Sequence, residues 1–189
     1  MAAPNLKILS MNANSVTGKL NLIKCYVETY RPDLVCICET KISATFDDNE
    51  LLGNEFTLWR NDRAQGAGGV LIAMRNNISA KVIESYSGPG ESVTIKLQIH
   101  DKIVFNVVTF YRPPSEYELD NLKDIIDLYS AANSSILLGD FNLPDIEWAS
   151  DIPHVKPMSH RKSLHQRALD IIMEADLAQL VSGPTHRLG

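Results

Sequence analysis

The feature that most constrains the fold is a series of five strand-length apolar segments between residues 56 and 111. The segments are Phe56 to Asn61, Gly69 to Met74, Ala80 to Tyr86, Ser92 to Ile99 and Ile103 to Tyr111. Turn-forming Gly, Asn, Asp or Pro residues separate each segment from the next. This pattern predicts a largely antiparallel meander in the middle of the chain.

Helical and strand patterns alternate on both sides of the meander. The flanking segments are a strand from Leu6 to Met11, a helix from Lys19 to Tyr30, a strand from Leu34 to Cys38, a helix from about Glu118 to Ala131, a strand from Ser135 to Leu138 and a helix from Ser163 to Ala175. Together with the meander, this order predicts an α/β sandwich of two packed sheets with outer helices. A small β-barrel is the alternative.

Length, composition and charge limit the classes of protein to which the chain can belong. A length of 189 residues with 44% hydrophobic content fits a single globular domain over residues 1–189. The net charge of −5 argues against bulk capture of nucleic acid but allows a local basic patch. No apolar run reaches the roughly 20 residues that span a bilayer, and the N-terminus does not resemble a signal peptide, so we expect an intracellular protein without a membrane partner. Of the three cysteines, Cys36 and Cys38 lie in an apolar stretch and are expected to be buried thiols.

Polar side chains stand where apolar strands end. Asn12, Glu39 and Tyr111 each end or follow such a strand, and Asp140 with Asn142 follows another. A single Gly-Asp-Phe-Asn string is equally typical of an Asx turn. Convergence at one edge of a sheet explains all the positions together, because open sheets bind ligands beyond the carboxyl ends of their strands. A carboxylate and an amide at such an edge suit phosphate chemistry.

Four short motifs resemble a known family when they are taken in order. They are Ser10-Met11-Asn12, Ile37-Cys38-Glu39-Thr40, Phe110-Tyr111-Arg112-Pro113 and Gly139-Asp140-Phe141-Asn142. They resemble the endonuclease/exonuclease/phosphatase superfamily, over nearly the whole chain. Further strings resemble the endonuclease domains of LINE-type non-LTR retrotransposons: Trp59 to Arg63 with Gly68 to Ile72, Tyr111 to Ser115, and Leu177 to Val181 with Pro184-Thr185.

The resemblance implies a four-layer α/β/β/α sandwich of the deoxyribonuclease type and a magnesium-dependent endonuclease that nicks target DNA for retrotransposition. Glu39 matches the Mg²⁺ ligand, and Asn12 would help to orient the metal; Mn²⁺ is an alternative cation. Asp140 would orient or deprotonate the attacking water. Asn142 and Tyr111 would donate hydrogen bonds to the phosphoryl group, where negative charge develops.

The resemblance also implies partners. Double-stranded DNA would be the substrate, a reverse transcriptase domain would belong to the parent polyprotein, and the protein would act in the nucleus. Phosphate contacts are expected from basic side chains, and Thr185 matches a hydroxyl residue near the substrate strand. The basic candidates are Arg63, Arg112, Arg161 and Lys162.

The chain departs from the family pattern at its C-terminal end. The family continues past Pro-Thr with a strand that carries an Asp and with an Asp-His dipeptide, and none of the five histidines here follows an aspartate. We therefore expect a domain that lacks its last strands, self-associates through exposed sheet edges and nicks DNA weakly or not at all on its own. Two other functions stay open: a phosphatase of the same superfamily that acts on a small phosphate ester, and a non-catalytic fragment that binds nucleic acid or a partner.

Overall fold

The computed structural model describes residues 6–63, 66–99, 103–130, 134–148 and 152–181. These residues form two compact units, and each unit takes two separate stretches of the chain. The first unit contains described residues up to 113 together with 134–141, and the second contains 114–130 together with 142–181. The single domain expected from the sequence therefore stays a prediction.

The first sheet of the first unit contains β1 (Ile8–Asn12), β2 (Leu34–Cys38), β3 (Phe56–Asn61) and β4 (Val70–Arg75), in the order β1-β2-β4-β3. β1 runs parallel to β2, and the other neighbours are antiparallel. Every residue of β2 is buried. A strand that is covered on both faces needs no polar alternation, which explains its uninterrupted apolar sequence.

The second sheet contains β5 (Ala80–Ser87), β6 (Glu91–Ile99), β7 (Ile103–Tyr111) and β8 (Ser135–Asp140), in the order β5-β6-β7-β8. β8 runs parallel to β7, and the other neighbours are antiparallel. The register places Glu91 opposite Tyr111, and Tyr111 opposite Asp140. Three polar side chains consequently stand side by side at one edge of this sheet.

Two apolar clusters hold the first unit together. The cluster between the sheets joins β2 and β4 to β6 and β7, with Cys36, Ile72 and Ile95 fully buried. The other cluster packs α1 (Leu20–Tyr30) and α2 (Asp48–Leu52) on the outer face of the first sheet, through Ile23 and Leu51. The unit is therefore layered as helix, sheet and sheet.

The second unit contains α3 (Asp120–Ser130), β9 (Ile146–Glu147), β10 (His154–Val155) and α4 (Lys162–Glu174). Leu122, Ile125 and Ile126 of α3 are buried, as their spacing along a helix predicts. β9 and β10 pair as a two-stranded antiparallel ribbon. Residues 177–181 contain no helix or strand.

The predicted α/β fold with two packed mixed sheets is confirmed, and within the described ranges no sheet closes into a barrel. Most predicted elements match within two residues. Sequence patterns missed α2, β9 and β10, because five residues or fewer show no readable periodicity. None of the helices in the described part of the chain is long and apolar enough to span a membrane.

Gly139 lets β8 approach β7 more closely than any other residue would allow. Its φ is +137°, and an added Cβ would lie 1.8 Å from the carbonyl oxygen of Phe110. We expect Gly139→Ala to lower the free energy of unfolding by about 3 kcal/mol or more, because backbone strain and overpacking both contribute. Urea denaturation measures the loss. Gly18→Ala is the matched control, since a Cβ there meets nothing within 4 Å; an equal change in both variants would contradict the prediction.

The three cysteines should differ sharply in reactivity. Burial raises the pKa of the Cys36 and Cys38 thiols to about 12, whereas Cys25 is exposed. Because the thiolate is the reactive form, we expect a thiol reagent at neutral pH to modify Cys25 rapidly and the two buried thiols only after unfolding. Mass spectrometry of the native and the urea-treated protein checks this expectation, and rapid modification of Cys36 in the native state would disprove it.

Candidate active site

One asparagine joins the two carboxylates that end neighbouring strands of different sheets. Asn12 Nδ2 donates to Glu39 Oε1 at 2.7 Å and to Asp140 Oδ2 at 2.7 Å. Asn12 ends β1, Glu39 follows β2, and Asp140 ends β8. The three side chains predicted to share a site are therefore in direct contact.

Two residues that the motifs did not identify complete this cluster. The backbone N–H of Asn14 donates to Asn12 Oδ1 at 2.9 Å, which turns the Asn12 amino group toward the carboxylates. Lys41 Nζ lies 3.2 Å from Glu39 Oε2 and donates to Asn14 Oδ1 at 2.6 Å. Each of these two residues follows a predicted site residue by two positions, and this spacing is the feature of the sequence that could have identified them.

The backbone around Glu39 is held in an unusual conformation. Glu39 has a φ of +52° and Lys41 a φ of +53°, which is the left-handed region that residues with a side chain rarely adopt. The turn is held by the segment just before β4, since the backbone N–H groups of Thr40 and Lys41 donate to the carbonyls of Gly69 and Gly68 at 3.2 and 2.9 Å. Such conformations persist where the surrounding structure enforces them, and they concentrate at functional sites.

The environment keeps Glu39 ionised and Tyr111 protonated. Partial burial alone would raise the pKa of the Glu39 carboxyl, but hydrogen bonds from Asn12 and Lys41 and the charge of Lys41 outweigh it, so the pKa lies below its ordinary value. Burial, followed by the neighbouring Glu39 carboxylate, raises the pKa of Tyr111 far above its usual range. The phenol therefore donates a hydrogen bond to Glu39 at neutral pH.

The donor set fits a hard divalent cation that keeps much of its water. Mg²⁺ prefers oxygen ligands and commonly uses one or two carboxylates, with waters and substrate phosphate completing its coordination. Glu39 and Asp140 supply such carboxylates within reach of one amide group. Within the described ranges, no three His, Cys, Asp or Glu side chains cluster into a metal-binding set. The arrangement thus suits Mg²⁺ or Mn²⁺ held partly by substrate.

The other predicted site residues lie in varied places. Arg112 is 1% exposed and donates from Nη1 to the carbonyl of Phe141 at 3.1 Å. Arg63 is half-exposed and pairs with Glu91 at 2.9 Å. Their predicted contacts with DNA stay predictions.

The remaining predicted residues belong to the second unit or are not described. Asn142 has a φ of +49°. Arg161 stacks its guanidinium 4.4 Å from the ring centroid of Tyr117, and Lys162 begins α4 as an exposed residue. Thr185 lies outside the described residues. The predicted substrate contacts of this group stay predictions as well.

Comparison with known proteins identifies the family. The Endonuclease/Exonuclease/phosphatase family matches residues 9–157, and the chain belongs to this family. No curated protein matches the sequence.

Solved structures share the fold at low identity. An AP endonuclease from Archaeoglobus fulgidus is 20% identical with a TM-score of 0.66, over 90% of this chain and 70% of that one. The endonuclease domain of TRAS1, a telomere-specific non-LTR retrotransposon, is 13% identical with a TM-score of 0.66, over 96% and 76%. A variant of the 3′ phosphatase NExo from Neisseria, solved with a product DNA hairpin, is 17% identical with a TM-score of 0.62, over 88% and 71%.

Removing the bridging amide should expose the repulsion between the two carboxylates. We expect Asn12→Ala to lower the free energy of unfolding by about 1–3 kcal/mol at neutral pH, because two charged acceptors lose their shared donor. Part of this loss should disappear in high salt, which screens like charges. Urea denaturation at low and high ionic strength measures both effects.

Asn76→Ala is the matched control. Asn76 also loses side-chain hydrogen bonds when it is truncated, but its partners are the hydroxyl of Thr57 and the carbonyl of Asn54, which carry no charge. The decrease in the free energy of unfolding caused by Asn76→Ala should be the same at both ionic strengths. If the two variants respond equally to salt, the carboxylate repulsion is not what Asn12 relieves.

Proposed function

We propose that this chain is a divalent-metal-dependent endonuclease that hydrolyses phosphodiester bonds in DNA. The observation that supports this proposal most directly is the contact of Glu39 and Asp140 through the single amide of Asn12. Membership of a family of nucleases and phosphatases supports phosphoester hydrolysis as the reaction. The endonuclease domain of TRAS1 and the AP endonuclease have the same fold, which favours DNA as the substrate.

Each candidate site residue has a defined part in the proposed reaction. Asp140 orients the attacking water and accepts its proton. Tyr111 keeps its own proton, and its single O–H turns from Glu39 to the phosphoryl group when substrate binds, while Lys41 contributes positive charge beside Glu39. Asn142 donates to a phosphoryl oxygen in this proposal. Asn12 fixes the spacing of the carboxylates, so it is a positioning residue.

Glu39 would hold the cation, with Asn12 helping to orient it, while Asp140 serves the attacking water. When bound, Mg²⁺ or Mn²⁺ would polarise the scissile phosphate and stabilise the charge of the leaving 3′ oxygen. The ionised state of Glu39 at neutral pH is the state that a cation requires.

The biological setting is part of the proposal. The motifs shared with LINE-type endonucleases suggest that the nick primes retrotransposition, that a reverse transcriptase domain belongs to the same polyprotein, and that the protein acts on nuclear DNA. Self-association through sheet edges is a further proposal. It is supported by the exposed side chains of the edge strand β5, including Ile83 and Tyr86.

Plasmid nicking tests the proposed reaction. We expect the chain to convert supercoiled DNA to open circles in Mg²⁺ or Mn²⁺ and to be inactive after chelation. We expect this nicking to be slow. Glu39→Gln and Asp140→Asn should each reduce the rate by about 100-fold or more, since charge stabilisation and proton transfer are lost.

Glu84→Gln is the matched control, because Glu84 is an exposed carboxylate in the middle of β5. Mg²⁺ should also raise the melting temperature of the unmodified chain and of Glu84→Gln but not that of Glu39→Gln. Release of inorganic phosphate from inositol phosphates without nicking would favour the phosphatase alternative. DNA binding without metal-dependent hydrolysis would favour the non-catalytic one.

A further inference from the structure

A second charged group lies at the same edge of the first unit. The half-exposed Arg63 places Nη1 2.9 Å from Glu91 Oε1. Glu91 Oε2 accepts the backbone N–H of Gly69 at 2.5 Å, and its side chain is 14% exposed. The carboxylate is therefore engaged on both oxygens, and it fixes the guanidinium at the surface.

Two glycines leave the space that the Glu91 carboxylate occupies. A Cβ at Gly68 would lie 2.0 Å from Glu91 Oε2, and both Gly68 and Gly69 have a positive φ. Glycine is the residue that accepts this conformation and this close approach. The same two glycines accept the backbone hydrogen bonds of Lys41 and Thr40, so one turn supports both Arg63 and the Glu39 cluster.

The strand register of the second sheet gives the distance between Glu91, the partner of Arg63, and the candidate active site. Glu91 is opposite Tyr111, and Tyr111 is opposite Asp140, so Glu91 stands two strands away from Asp140. Neighbouring strands are about 4.8 Å apart, which places Glu91 about 10 Å from Asp140 along the edge of the sheet. Successive phosphates of one DNA strand are farther apart than the axial rise of about 3.4 Å per nucleotide, so a group at this distance lies within about three nucleotides of the scissile bond.

We propose that Arg63 binds a backbone phosphate of the cleaved DNA strand, within about three nucleotides of the scissile bond, and that Glu91 is its positioning residue. The inference rests on the proposed endonuclease function and extends it. A guanidinium suits this task because its planar donors match phosphate oxygens and its charge is permanent. A contact of this kind fixes the register of the DNA strand without reading its sequence.

DNA binding at several salt concentrations tests this proposal. The probe is a fluorescent duplex of about 30 base pairs, measured by anisotropy with Mg²⁺ in an Asp140→Asn background that prevents cleavage. We expect Arg63→Ala to weaken binding about 5- to 20-fold and to reduce the slope of log K against log salt by about one, as for the loss of one phosphate contact. Arg63→Lys should keep the slope because it keeps the charge.

The role of Glu91 is tested in the same assay. Glu91→Gln leaves the charge of Arg63 in place, so it should weaken binding a few-fold with little change in the slope. Lys96→Ala is the control, because Lys96 forms a comparable surface ion pair with Glu84 in the middle of β6. Lys96→Ala should change neither the affinity for the duplex nor the salt slope.

The outcomes separate this proposal from the endonuclease function. If the unmodified chain nicks plasmid but Arg63→Ala binds the duplex with an unchanged affinity and salt slope, Arg63 makes only a surface ion pair and this inference is wrong. If the unmodified chain neither nicks plasmid nor binds the duplex, the proposed function itself fails, and the contact of Arg63 with DNA fails with it. Thermal melting of each variant confirms that the fold is intact.

Discussion

The candidate site depends on one amide group that serves two carboxylates. Asn12 Nδ2 donates to Glu39 and to Asp140, and Asn12 is separated from Asp140 by 128 positions in sequence. Without a shared donor, two negative charges at one edge would repel each other in a partly desolvated place. The amide allows both to stay close together. Since β1 and β2 belong to one sheet and β8 to the other, the same contact also joins the two sheets at their polar edge.

The topology of the strands explains why these groups meet at all. Parallel neighbours end at the same edge, and both sheets contain one parallel pair: β1 with β2, and β7 with β8. Those four strands end in or just before Asn12, Glu39, Tyr111 and Asp140. The antiparallel strands begin where these end, so Gly69 and Glu91 reach the edge from the opposite chain direction. In a mixed sheet, residues at the ends of some strands and at the starts of others therefore lie around one site.

Patterns in the sequence predicted most of the strands and the candidate site residues at strand ends, because burial on both faces and abrupt polar ends are local signals. Leu34–Cys38 and Ile103–Tyr111 have the bounds that their apolar sequences predicted. Tertiary contacts decide the rest. Lys41 reaches Glu39 from a turn whose φ is left-handed, and Arg112 is buried and donates to the carbonyl of Phe141. Neither fact has a local signature in the sequence. The helix α2 depends on the Asp47 cap and on burial of Leu51 and Leu52.

The left-handed conformation of Glu39 has a consequence for how such a chain changes over time. A glycine at this position would adopt a φ of +52° without strain. It would also lose the hydrogen bonds from Asn12 and Lys41 that hold the pKa of Glu39 below its ordinary value, so relief of strain and loss of contacts oppose each other at this one residue. Under the proposed function, selection for activity adds to the side of the carboxylate, and a copy released from that selection would keep Glu39 only for its contacts.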